Sequence, residues 1–66
     1  MEGWIKVYSS DNQVQVEIAK SILLENNIDS IDVSKKDSSY VFGEIELYVQ
    51  ENNAIISRLV LTQNNL

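Results

Sequence analysis

The stretch Asp37 to Val49, DSSYVFGEIELYV, decides how the rest of the chain is read. Its second half alternates. Ile45, Leu47 and Val49 fall on one side of an extended strand, and Glu44, Glu46 and Tyr48 fall on the other. One face therefore joins a core, while the other is at least partly wet. The first half is a polar turn that ends in Tyr40, Val41 and Phe42. Gly43 separates the halves and allows a bulge or tight bend. A strand of this kind belongs at the centre of a small sheet.

Working outward, Trp4–Ser9 (WIKVYS) also alternates, with Ile5 and Val7 expected on one face and Trp4, Lys6 and Tyr8 on the other. Ser30–Ser34 (SIDVS) reads as a short strand with Ile31 and Val33 inward. Lys35–Gly43 joins it to the third strand. Gln13–Asn26 has helical spacing: Val14, Ile18, Ala19, Ile22 and Leu23 form a stripe that Val16 widens, opposite Gln13, Glu17, Lys20 and Ser21. Leu24 sits among the polar positions and is expected to be exposed. Asp11 or Asn12 caps this helix, and Asn12 with Gln15 would close a capping box. Asn26-Asn27-Ile28 reads as its stop, because Asn tolerates the left-handed conformation and Ile28 can fold back on the last turn. Glu51–Leu61 is a second helix with Asn52 or Asn53 near its cap. Ala54, Ser57, Val60 and Leu61 make a narrow face, with Ile55 and Leu59 on a different side. The tail, TQNNL, is polar and expected to fray.

The order β-α-β-β-α predicts an α+β fold: ferredoxin-like, with a three-stranded antiparallel sheet in the order 2-3-1, two helices on one face and no fourth strand. Residues 1–66 form one domain, with an ordered core over about 4–61. Two consequences follow. The first strand is an open edge, and the second sheet face, carrying Trp4, Lys6, Tyr8, Asp32, Glu44, Glu46 and Tyr48, has no helix to cover it.

Composition narrows the function. A chain of 66 residues buries only about 60% of its unfolded surface, so its stability is marginal. Small domains gain support from disulfides, metals or association. Cysteine and histidine are both absent, which leaves close packing or self-association and fits a cytoplasmic setting. A net charge of −5 is repelled by phosphate backbones, so no nucleic-acid partner is expected. MEGWIKVY lacks a basic n-region and a long apolar run, so no signal peptide is expected, and no stretch approaches the ~20 apolar residues of a membrane helix.

The runs WIKVY, EIAKSILLENNI and KKDSSYVFGEIELYV resemble a family of small bacterial proteins described as signal-transducing, whose fold is similar to the nitrogen-regulatory PII type. The resemblance spans roughly residues 4 to 61. It implies the same element order and a regulatory role, and it brings no catalytic residues. Asn27 stands where a glycine is expected, Gln13 and Gln50 where prolines are frequent, and Ile55 and Ile56 where charged residues are frequent. The two isoleucines suggest an added contact surface. PII-type nucleotide binding is not inherited with the fold, since this chain has no glycine-rich phosphate loop.

Three sets of residues are candidate sites. Glu44 and Glu46 share a strand face, with Asp32 expected across the hairpin. Such acids serve a hydrolase or hold a hard cation, or simply form a solvated face with Lys6 opposite Glu46. Trp4, Tyr8 and Tyr48 on the open face suggest a partner surface, and Ile55 and Leu59 suggest another unless they pack on the first helix. The turn Asp37, Ser38, Ser39, Tyr40, Phe42 and Gly43 is either a recognition loop, open to phosphorylation, or a plug at the end of the core. Serine and tyrosine nucleophiles have no evident base partner, so no enzyme activity and no cofactor are expected. The leading reading is a non-catalytic protein-interaction module that forms a homodimer or binds another protein. The alternative is a small-ligand or metal-ion sensor in which Lys35, Lys36 and Asp37 lead into a binding loop over 35–43.

Overall fold

The alternating strand takes the middle of the sheet in the computed structural model, which describes residues 2–35 and 43–66. In chain order the elements are β1 (Trp4–Ser10), α1 (Gln13–Glu25), β2 (Ser30–Lys35), β3 (Glu44–Gln50), a single 3-10 turn (Glu51–Asn53) and α2 (Ala54–Gln63). The sheet order is β1-β3-β2, and β3 runs antiparallel to both neighbours. The fold is α+β, and its strand order is the expected one read from the opposite edge.

β3 organises the core because its inward row is continuous. Ile45, Leu47 and Val49 are all buried, and they cluster with Val16, Ala19 and Leu23 of α1, Ile28, and Ala54 and Leu61 of α2. Each large side chain removed from water contributes roughly 1.5–3 kcal/mol before entropy is counted. On α2 the buried set is Ala54, Ser57, Val60 and Leu61, the face read from the spacing. On α1 the stripe is rotated. Val16, Ala19 and Leu23 meet the sheet, while Val14 and Ile18, expected in the stripe, are exposed. Two residues turn a helix by about 200°, so Val14 and Val16 cannot share a face. The sheet selects the Val16 side.

Both helices stop the same way. Asn27 and Asn65 adopt positive φ, 61° and 65°. Ile28 N–H donates to the Leu23 carbonyl and Asn27 N–H to that of Leu24; Leu66 N–H donates to Leu61 and Asn65 N–H to Thr62. Each is a complete Schellman closure. The side-chain amides of Asn26 and Asn64 bond back to Ile22 and Val60. The tail therefore does not trail away from Leu61: its closure seats Leu66 against the core.

The helix starts differ from expectation. Asn12 Oδ1 accepts from Val14 N–H at 2.9 Å and Gln15 N–H at 3.4 Å, but the Asn12 N–H goes to Ser10 Oγ at 3.0 Å. Ser10 thus takes the role foreseen for the Gln15 side chain, and the capping box does not close. Neither Asn52 nor Asn53 caps α2 with its side chain. Instead Glu51 N–H donates to the Gly3 carbonyl at 2.9 Å. Gly3 sits at φ +83°, where a Cβ would be strained.

Two strand facings are corrected. β1 pairs Lys6 with Tyr48 and then Tyr8 with Leu47, so Val7 is an extra residue in a bulge. The bulge breaks the alternation and turns Tyr8 to the core side, where it packs against the core cluster, as Ile5 and Val7 do. In β2, Ile31 pairs with Tyr48 and Val33 with Glu46, so both lie on the open face. Asp32 pairs with Leu47 and lies on the helix side. The physical reason is the edge position. The helix-side residues Ser30, Asp32 and Ser34 lie at the margin of the α1 layer, where polar groups remain hydrated or paired.

Ser57 is fully buried, and its Oγ has no hydrogen-bond partner among the described residues. An unsatisfied buried hydroxyl costs roughly 1–3 kcal/mol. Ser57→Ala should therefore raise the melting temperature by about 4–8 °C. A scanning-calorimetry midpoint that stays put or falls would mean that the hydroxyl has a partner.

Candidate interaction surface

The open sheet face is built from the outward row of β3. Glu44, Glu46 and Tyr48 alternate with the core row, and register places Lys6 and Ile31 beside Tyr48, Ser9 and Val33 beside Glu46, and Trp4 beside Gln50. Five of the predicted surface residues thus share this face: Trp4, Lys6, Glu44, Glu46 and Tyr48. Tyr8 does not join them, because the bulge sends it to the core. Asp32 does not join the two glutamates, because it occupies the other side of the sheet.

At the centre of the face Glu46 is only 9% exposed. Its Oε2 accepts from Lys6 Nζ at 3.2 Å, and its Oε1 accepts from Tyr48 O–H at 2.8 Å. Lys6 registers with Tyr48, so it reaches Glu46 on the diagonal rather than directly across. Flanking strands and these two partners shield the carboxylate, and charge-assisted bonds offset its desolvation. The Tyr48 phenol is pushed above its ordinary value, chiefly because its proton is held by Glu46, with desolvation and the negative charge of Glu46 adding to the effect.

A second ion pair lies behind the sheet. Lys20 Nζ contacts Asp32 Oδ1 at 2.6 Å. The hydrogen bond from Lys20 holds the Asp32 carboxyl below its usual range, and the same bond raises Lys20. A lowered carboxyl supports the fold above its unfolded pKa and loses that support as pH falls through its folded one. A raised amine supports the fold below its unfolded pKa and loses that support at high pH. Both groups are partly exposed, so the pair contributes at most about 1 kcal/mol.

Ile55 and Leu59 point to solvent rather than onto α1. Sequence reasoning missed Ile31 and Val33 on the open face, and Val14 and Ile18 on the helical layer. Period-2 alternation tells which residues share a face but not which face that is. The polar set Ser30, Asp32 and Ser34 was the available signal. In the proposed loop, Lys36, Asp37, Ser38, Ser39, Tyr40 and Phe42 lie outside the described residues. Lys35 ends β2, and half-buried Gly43 precedes β3. β1 is an edge strand, but its edge is not a plain row of free groups. The Val7 bulge distorts it, and Arg58 Nη2 donates to the Lys6 carbonyl at 3.1 Å.

Chemically, the sheet face offers a carboxylate engaged by an ammonium and a phenol, with Val33 and Ile31 beside this group and Trp4 at the far end of the face. Among the described residues, no group of three acidic side chains is placed to hold a metal ion, and no helix is long and apolar enough to cross a membrane. Comparison with known proteins finds no matching family model, curated protein or solved structure.

The Glu46–Tyr48 bond gives a direct titration test. One of the three tyrosines should lose its proton above the ordinary phenol value in an ultraviolet absorbance titration. In Glu46→Gln that late step should return toward pH ~10. An unchanged late step would assign it to a different tyrosine.

Proposed function

We propose that this chain is a small non-catalytic protein-interaction module with a regulatory role, that it self-associates, and that its architecture is the ferredoxin-like arrangement without a fourth strand. The strand order β1-β3-β2 and the shared core of α1, α2 and β3 support the architecture. They are also what the resemblance to PII-like signal-transducing proteins implies. The observation that carries the function is a surplus of apolar surface. Among the described residues, seven large hydrophobic side chains are exposed beside ten that form the core. Scattered apolar residues are ordinary on a surface, but six of the seven lie on the two helices, and that surplus relative to so small a core supports a contact site. A second copy is the partner this reading commits to. The chain carries no cysteine or histidine for a disulfide or a thiolate or imidazole metal site, and association is the remaining common support for a domain of this size.

Sedimentation velocity across the micromolar range should show a species heavier than the 7.5 kDa monomer, growing with concentration. A monomer at every concentration would overturn the self-association. Strong thermal stabilisation by a nucleotide, an amino acid or a divalent ion would instead favour a ligand sensor.

A further inference from the structure

We infer that the outer face of the helical layer, rather than the open sheet face, is where two copies of this chain meet. The inference rests on the self-association proposed above and assigns it a surface. Lys20 on α1 reaches Asp32 of β2, so that flank of α1 faces the β2 edge. Arg58 on α2 reaches the Lys6 carbonyl, so that flank of α2 faces the β1 edge. At about 100° per residue, the opposite flanks border the groove between the helices. They carry Ile18 and Ile22 on α1 and Ile56 on α2, while Val14, Ile55 and Leu59 extend the band onto the two crests. The exposures are high for aliphatic side chains: Val14 65%, Ile18 43%, Ile55 84%, Ile56 46% and Leu59 52%.

Area and charge both select a second copy. The band leaves on the order of 500 Å² of aliphatic surface open, at the upper end of a single patch on a monomer. With its polar rim it approaches the roughly 800 Å² per partner that a standard interface buries. No charged residue interrupts it. Glu17 borders it on the β2-facing side of α1, Glu25 closes its C-terminal end, and Arg58 lies on the far rim of α2. A two-fold axis along the groove lays α1 of one copy over α2 of the other, so Glu17 on the outer rim of each meets Arg58 of its mate. Because the same patch serves both copies, the contact closes as a dimer and leaves no open end. On the sheet face, by contrast, the Lys6–Glu46–Tyr48 network interrupts the apolar residues, and Trp4, Val33 and Tyr48 are already half-buried.

The single tryptophan supplies a readout that needs no substitution, since Trp4 lies on the sheet face away from the helices. Its emission should stay constant while sedimentation shows the wild-type dimer dissociating on dilution. Ile55→Glu and Leu59→Glu, each at an exposed position, should keep the circular dichroism of the fold. Each should weaken association by roughly 100-fold or more, because the dimer would bury unpaired carboxylates. Trp4→Ala should leave association unchanged. If the glutamate variants still dimerise as wild type does, or Trp4 emission shifts with dissociation, the helical surface is wrong while self-association stands. If wild type is monomeric at every concentration, both readings fall.

Discussion

Three strands and two helices can cover one side of a sheet, and the row Ile45, Leu47 and Val49 determines which side that is. Every other element is placed by the need to keep that row dry. α1 turns its Val16–Ala19–Leu23 line toward it, and α2 brings Ala54 and Leu61. Among the described residues, no second layer covers the outside of the helices. The cost of covering one face is visible on the outside of the helices, where aliphatic residues that a larger protein would bury stand in solvent.

The Val7 bulge shows how a local irregularity serves that constraint. With strict alternation, Tyr8 would lie on the wet face and the top of the core would lose a large side chain. One extra residue brings Tyr8 opposite Leu47 and then restores alternation, so that Ser9 and Ser10 pair with Glu46 and Ile45. The same distortion, with Arg58 bound to the Lys6 carbonyl, makes the β1 edge a poor template for an incoming strand. This disfavours strand addition at β1, one of the two sheet edges, and leaves the β2 edge and the faces open to a partner.

Much of this was legible in the residues, and what was not has an identifiable cause. β3 could be read because its alternation is strict and both its faces are chemically distinct. The buried face of α2 and the Asn27 stop could be read because helical spacing and left-handed Asn are local rules. The facing of β2 could not, since alternation carries no sign and the choice depends on register with β3. The bulge left no glycine or proline to announce it. The rotation of the α1 stripe was hidden by too many apolar residues: Val14, Val16 and Ile18 compete, and only the sheet decides among them. The surface was half legible. Trp4, Lys6, Glu46 and Tyr48 were gathered as read, whereas Asp32 and Tyr8 followed their strands to the other side.

The bond between Glu51 N–H and the Gly3 carbonyl, together with Arg58 on Lys6, ties the first strand to the last helix. These contacts span most of the chain, and the loop closed between them is nearly the whole molecule. Such non-local closures carry a large loop-entropy cost and reward the chain only once the sheet between them has formed. The same pairing governs opening. Loosening α2 frees the edge of β1, and peeling β1 removes the floor beneath α2, so the two behave as a single cooperative unit although they lie at opposite ends of the sequence. Local stability in β1 and α2 is thus tied to contacts between the two ends of the sequence rather than to either end alone.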